Sequence, residues 1–441
     1  MAEQYTVTVE SVDYEGKGIA RIDGKTVFVN GAMAGEEVLI EIVKRKPSFD
    51  RAKLVEILRA SPDRVTPECP NYGVCGGCSM QHVSFAEQIR IKQQVLIDNL
   101  QHLGNVAAEE IIAPLAGVKW GYRHRARLSA RYVAKKGGSL VGFREKGAPY
   151  VVDMNQCLIL PPHVSALITP LRELVSALSI RDKIPQIEVA VGTQITILVI
   201  RNMEALNSAD EQIVQEFITQ YSNAANPLQI WLQPKGPETC YPFYPIEAAK
   251  LSYSIQHYTI DMPYNPSEFT QVNPYINEEM LKLSMELLAP QEHEVIADFF
   301  CGIGNFTLPI ARMAKQVIGI EGADALVKRA KQNAVHNGLG DKVAYQVCNL
   351  FTIDDVWLQK LGSFDKWLID PPRDGAFELV KSITPQSAPK RIVYVSCNPA
   401  TLARDAGVLV HTHGYRLVKA GIMNMFPHTS HVESIALFEL N

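Results

Sequence analysis

The stretch RIVYVSCNPATLARD, Arg391 to Asp405, sets a lone cysteine where a strand ends and a helix begins. Val393, Tyr394 and Val395 are β-branched or aromatic, Asn398 and Pro399 break the strand, and Thr401 onward reads as helix. In open α/β sheets ligands bind at the carboxyl ends of the strands. Cys397 is therefore read as a nucleophile, not as the small buried hydrophobe that a free cysteine usually becomes. The last strand, SHVESIALFEL, offers Glu433 beside His431 as a base. Two other cysteines, Cys301 and Cys348, are read as core.

A second group of residues points to a nucleoside cofactor. In VIADFFCGIGNFTLPIARMA a buried strand, Val295 to Phe300, runs into Gly302 and Gly304 and then a helix from Thr307. Such glycines let backbone lie close against a nucleoside. Thr307 holds the third glycine position of G-x-G-x-x-G, so this is not the dinucleotide fingerprint. The next strand, QVIGIE, ends at Glu321, seventeen residues after Gly304, where a carboxylate can accept from a ribose diol. With Asn349 after the third strand and Asp370 in DPPR after the fourth, the pattern indicates S-adenosylmethionine. Its adenine is expected near Asn349 and its methionine part near Phe300 and Asn305. Gln271 and Asn273 precede a helix starting near Pro274, a place where polar side chains meet ligands. Amino-methyltransferases use a related Pro-Pro turn to hold an exocyclic amine, which leaves a competing reading, but they need no thiol.

A third group is soft. PECPNYGVCGGC places Cys69, Cys75 and Cys78 at five- and two-residue gaps among prolines and glycines, with Cys157 as the fourth sulfur and His82 as a substitute ligand. The spacing suits zinc or a [4Fe–4S] cluster and does not separate them.

The elements that must position these residues fall into a multidomain α/β chain of 441 residues. Residues 1–60 read as five short strands punctuated by glycines, a small barrel of the oligonucleotide-binding (OB) type. Residues 61–263 form a central α+β domain. It carries the cysteines, an amphipathic helix over 85–103 that can pack on the catalytic domain, and an antiparallel region beyond Cys157 with one helix, 209–221. Within it, Lys119 to Lys146 has nine Lys or Arg against one acid, Glu145, with aromatics interleaved. Arg123, Arg125, Arg127 and Arg131 alternate along one strand, as phosphate contact and base stacking require. Residues 264–441 repeat strand, turn and helix, a Rossmann-like parallel sheet. The formal net charge of −4 excludes a chain coated in basic residues, so nucleic acid must meet a local patch. No apolar run approaches the ~20 residues of a membrane span, and the alternating, acidic start is no secretory signal. A cytoplasmic monomer is expected.

EFTQVN, DFFCGIGNFTLPIA, GIE, LIDPPRDG, VSCNPATLARD and HVES together resemble the RNA (uracil-5)-methyltransferase family. DYEGKGIARIDGKTVFVNGAMAGEEV resembles a TRAM domain, an RNA-binding barrel. Barrel and cysteine cluster extend the likeness over nearly the whole chain, toward the iron–sulfur branch that methylates 23S ribosomal RNA. The resemblance implies that Gln271, Phe300, Asn305, Glu321, Asn349 and Asp370 line S-adenosylmethionine. It also implies Cys397 as nucleophile, Glu433 as base, and a [4Fe–4S] cluster on Cys69, Cys75, Cys78 and Cys157. A different RNA target, an amine acceptor, and a non-catalytic RNA-binding role are the alternatives. Arg127 is the expected partner of uracil O4.

Overall fold

The structure, a computed structural model, describes residues 3–13 and 15–441. The barrel is built from Gln4–Thr8, Ser11–Val12, Lys17–Ile22, Lys25–Asn30, Glu37–Arg45 and Phe49–Arg59. Alternation sends Val27, Val29, Val38 and Ile40 inward, where all four are fully buried. The first expected strand is split in two because the chain changes partner at Val9 and Glu10. Its front half pairs with Glu37–Arg45 and its rear half with Lys17–Ile22, which closes the sheet on itself. Buried Glu36 accepts from Arg64 Nε at 2.6 Å and Nη2 at 2.8 Å, and from the amide of Met33. That ion pair ties the barrel to the segment leading into the cysteine loop.

The central sheet runs Gly138–Gly142, Arg125–Val133, Gln186–Val191, Thr196–Arg201, Leu228–Leu232, Tyr241–Tyr244. Helices Ile168–Ala177 and Ser208–Tyr221 cover it, with Leu171, Leu174, Val175, Val214 and Phe217 against Leu128, Ile187 and Leu198. Two features depart from the sequence reading. Helix Ile168–Ala177 is additional, and Thr196–Arg201 pairs parallel to Leu228–Leu232, with Ser208–Tyr221 as the crossover between them. A helix-long connection returns the chain in the same direction, as a short hairpin cannot.

The third sheet has eight strands. Its order is Val343–Val347, Gln316–Glu321, Val295–Phe299, Lys366–Ile369, Arg391–Ser396, Glu433–Leu440, Tyr415–Met423, Glu110–Ile111. The first five are mutually parallel, and Glu433–Leu440 enters antiparallel beside Arg391–Ser396. Residues 85–111, grouped with the central domain by sequence, pack with this sheet. Helix Phe85–His102 places Leu96 and Leu100 against Leu402, Ala403 and Ala406, and Glu110–Ile111 is the edge strand. The contact is close enough that a Cβ on Gly104 would sit 2.4 Å from the Ala403 carbonyl. Among the described residues no helix is long and apolar enough to cross a membrane.

Candidate active site

The strands of the third sheet end in a line of functional groups. Read across the sheet these are Asn349, Glu321, Phe300, Asp370, Cys397 and Glu433, each at or within two residues of the same edge of its strand. Neighbouring strands lie about 4.8 Å apart, so this row is long enough for a nucleoside at one end and a reacting base at the other. The strand order reverses between Val295–Phe299 and Lys366–Ile369, the switch point where such sheets open a crevice.

At the nucleoside end, Phe300 has φ 63° and so ends its strand one residue before the sequence pattern does. Gly302 follows at φ 55°, with open space where a Cβ would stand. Gly304, at φ 99°, would place a Cβ 3.2 Å from Tyr345 Oη. Glu321 accepts from the amides of Gly302 at 3.2 Å and Ala323 at 2.9 Å, which aims its carboxylate over the glycine turn. Asn305 exchanges two hydrogen bonds with Asn277, at 2.9 and 3.2 Å, and accepts from Tyr253 Oη at 2.9 Å. Gln271 lines a cavity of about 110 Å³ with Asn277 and Tyr253, so it joins Asn305 through a shared neighbour. Asn349 is exposed and accepts from its own loop at the Phe351 amide, while Phe300 and Phe351 face each other with ring centroids 5.7 Å apart. Cys301 is buried under the turn, as expected of a packing cysteine. Tyr253 and Asn277 went unnoticed in the sequence because nothing local marks them; they matter only through Asn305.

Arg125 does not join the basic face proposed for its strand. It donates to the carbonyls of Pro266 (2.6 Å) and Glu268, while Arg329 pairs with the Glu268 carboxylate at 3.0 Å. Two arginines from different domains therefore hold the loop that presents Gln271.

At the other end, Cys397 is half-buried in a cavity of about 890 Å³. Lys17, Asn30 and Gly31 of the barrel, Tyr72 and Ser79 of the cysteine loop, Lys146, Arg373 and His431 share its walls. Burial, then the nearby carboxyls of Glu433 and Asp370, push the Cys397 thiol up to about 11, and Arg373 opposes them. Glu433 is buried, and burial followed by the charge of Asp370 holds its carboxyl well above the usual range. Burial alone pushes Asp370 up to about 7. Arg127 is corrected: it pairs with Glu188 at 3.1 Å and lines a separate groove with Arg144 and Lys146. The arginine beside Cys397 is Arg373, whose carbonyl accepts from Asn398 Nδ2 at 2.9 Å and Thr401 Oγ1 at 3.2 Å. Its place inside LIDPPRDG, three residues after Asp370, was the available signal.

Cys69, Cys75, Cys78 and Cys157 line one small cavity together with Gly77, Phe143 and Met154. Gly76 lies against this loop's neighbour, and a Cβ there would be 3.2 Å from the Arg144 carbonyl. His82 is absent from that lining; its Nδ1 bonds Tyr72 Oη at 2.6 Å. Among the described residues no three Cys, His, Asp or Glu side chains converge as a single metal ion needs.

A family profile described as tRNA (Uracil-5-)-methyltransferase matches residues 250–440, and a TRAM domain profile matches residues 2–55. A protein of Chromobacterium violaceum named 23S rRNA (uracil(1939)-C(5))-methyltransferase RlmD is 57% identical over 436 residues, 99% of this chain and 85% of that protein. One of the same name from Nitrosospira multiformis is 53% identical over 98% of each chain. The crystal structure of Pyrococcus abyssi tRNA (uracil-54, C5)-methyltransferase with S-adenosyl-L-homocysteine shares the fold. Its TM-score is 0.73 at 23% identity, over 98% of this chain and all of that one. A sheet of this order with a thiol and a carboxyl at adjacent strand ends, in a chain with relatives of these names, makes this a methyltransferase. The chain belongs to the RNA uracil-5-methyltransferase family, alongside the relatives named RlmD.

Proposed function

We propose that the chain methylates C5 of a uracil in 23S ribosomal RNA, the reaction in the names of its relatives, at the position those names number 1939. The observation that carries the mechanism is that Cys397, in a cavity whose walls include the RNA-binding barrel, directly follows a strand end whose ladder neighbour begins at Glu433. Uracil C5 is a weak nucleophile. The Cys397 thiolate forms a bond to C6, which moves electrons into a C4–C5 enolate, and Arg373 is the cation on this wall that favours the thiolate. C5 then takes the methyl group, leaving S-adenosylhomocysteine. Glu433 removes the C5 proton, the C6–sulfur bond breaks, and the thiolate returns. The cofactor supplies an electrophilic methyl. Gln271, Phe300, Asn305, Glu321, Asn349 and Asp370 are the residues assigned to hold it, and the open space over Gly302 fits a close-lying nucleoside. The target base must leave its stack to reach Cys397, and a cavity of this size admits a flipped nucleotide.

The four cysteines are assigned to a [4Fe–4S] cluster. Four cysteines lining one cavity, a donor set made only of sulfur, support this reading, and the resemblance to the iron–sulfur branch favours it over zinc. Its part is structural, holding the loop that borders the Cys397 cavity. Anaerobic purification should give a brown protein with about four iron per chain; zinc in its place overturns this assignment.

The deciding experiment mixes the protein with S-adenosylmethionine and 23S ribosomal RNA containing 5-fluorouracil. Fluorine at C5 cannot be taken by a base, so a protein–RNA adduct survives a denaturing gel. Wild type should form it and Cys397→Ala should not. An adduct undiminished in Cys397→Ala, or none with wild type, sinks the mechanism.

A further inference from the structure

Glu433 is delivered by a loop that other parts of the chain hold along its whole length. Met423 pairs with Glu433, so residues 424–432 join the two strand ends at the level of the base. Four consecutive carbonyls in that loop are taken by donors from four separate segments. Asn273 Nδ2 donates to Met425 O at 3.2 Å, Lys92 Nζ to Phe426 O at 2.8 Å, and Tyr122 Oη to Pro427 O at 2.9 Å. The amides of Ser79 and Met80, beside Cys78, both donate to His428 O at 2.9 Å. Lys92 also donates to Asn424 Oδ1 at 2.8 Å, and Gln88 accepts from the His428 amide at 2.8 Å. His428 stacks on Trp120 with centroids 3.8 Å apart.

Closing a hairpin does not require this. Lys92 is 1% exposed and among the described residues has no carboxylate partner, and burial alone brings its amine down to about 7. Its nitrogen donates to two acceptors, Asn424 Oδ1 and Phe426 O. His428 sits at φ 64°, a conformation that costs a non-glycine residue free energy and that persists where surroundings over-determine it. A buried lysine that donates only to uncharged acceptors and a strained histidine meet at one loop, directly before the proposed base.

We propose that Lys92 is a positioning residue for Glu433. Through Asn424 and Phe426 it fixes the loop so that the carboxyl reaches C5 of the covalently held uracil. The inference rests on the uracil-C5 reading above. It also makes the cysteine loop part of the same clamp, through Ser79, Met80 and His428.

The test uses Lys92→Met, which keeps length and apolar bulk and removes the donors, beside Glu433→Gln as the reference for a missing base. With ordinary uridine RNA and S-adenosylmethionine, kcat of Lys92→Met should fall about 30- to 100-fold, the scale of a misplaced reacting group. The KM for S-adenosylmethionine should stay within about threefold, since the glycine turn is untouched. The methylated adduct then waits for proton removal, so a Cys397-linked protein–RNA complex should accumulate on a denaturing gel, as is expected of Glu433→Gln. Tyr122→Phe, which deletes one hydroxyl, should show the same trapped complex to a smaller extent and carries the test if Lys92→Met does not fold. Wild-type kcat in the variant read, or a fall in kcat with no trapped complex, overturns the proposal. A wild-type protein that methylates no uracil instead overturns the function on which it rests.

Discussion

Cys397 and Glu433 flank one rung of an antiparallel ladder: Ser396 pairs with Ser434, the last paired residues at that end, and Cys397 follows Ser396 where Glu433 precedes Ser434. Opposed residues in such a ladder have Cα atoms about 4.5–5.5 Å apart, so a nucleophile and a base are set on one edge without any loop between them. The cost of this proximity is electrostatic. After burial, the carboxyl of Glu433 raises the Cys397 thiol, and Asp370 adds to the shift of both groups.

A pH dependence follows from that arrangement. Addition to C6 needs the thiolate and proton removal needs the carboxylate, and burial followed by neighbouring carboxyls shifts both groups upward. Ionised fractions therefore grow with pH across the neutral range, and kcat/KM should rise by up to about tenfold per unit between about pH 6 and 8. A profile that is flat or descending there contradicts the assignment of these two residues.

Arg373 is the cation that lowers the Cys397 thiol pKa. Its removal in Arg373→Ala should move the rising limb of the profile to higher pH and cut activity near pH 7 by about tenfold, one unit of thiol pKa. Arg373→Lys, which keeps the charge, should recover most of the loss. Equal losses in both variants would point to a contact specific to the guanidinium plane instead.

The row of strand-end residues was legible in the sequence because a parallel sheet announces itself by period: each buried run of four to six apolar residues stops at a glycine, acid or cysteine. What was not legible depends on register. Arg127 looked free because its partner Glu188 is sixty-one residues away, and only the antiparallel pairing of their strands sets them face to face. Arg125, one alternation back on the same face, is spent on carbonyls of a loop in the next domain. Glu110–Ile111 is a strand of two residues, too short for any periodicity to show. Helix Ile168–Ala177 was missed although Ile168, Leu171, Leu174 and Val175 have helical spacing, because the neighbouring strands dominate the composition. The clamp on residues 425–428 had no local signature at all, since its donors come from positions 79–122 and 273.

Asp370 offers a stability test separate from turnover. Its folded pKa is raised by burial to about 7, above the ordinary carboxyl value. The folded state then holds its proton more tightly than the unfolded chain, so this group's contribution is fully present in acid and is lost as pH rises from about 4 to 7. Asp370→Asn keeps the shape and has no proton to lose. In thermal melts without cofactor, the variant should match wild type in mild acid and exceed its Tm by several degrees at about pH 8, while methyl transfer is abolished. A Tm difference that shrinks as pH rises would show that Asp370 is stabilised as the anion in the native state.

Lys146 lines two spaces at once: the cavity that holds Cys397, and the groove that runs past Arg127 and Arg144 over the central sheet. It is exposed, and its amide donates to Val74 O in the cysteine loop, so its backbone is fixed while its ammonium faces both openings. If the target base enters the cavity, this groove is the expected path of the next phosphates, with Lys146 at the junction. Binding of that kind releases counterions, so Lys146→Ala should weaken RNA affinity several-fold and reduce the slope of log K against log salt by about one. Because the residue touches neither Cys397 nor the nucleoside end, kcat at saturating RNA should stay near wild type. If affinity falls with an unchanged salt slope, Lys146 acts on the shape of the cysteine loop instead of on phosphate, and the RNA path must cross the cavity elsewhere, over the barrel face at Lys17 and Asn30.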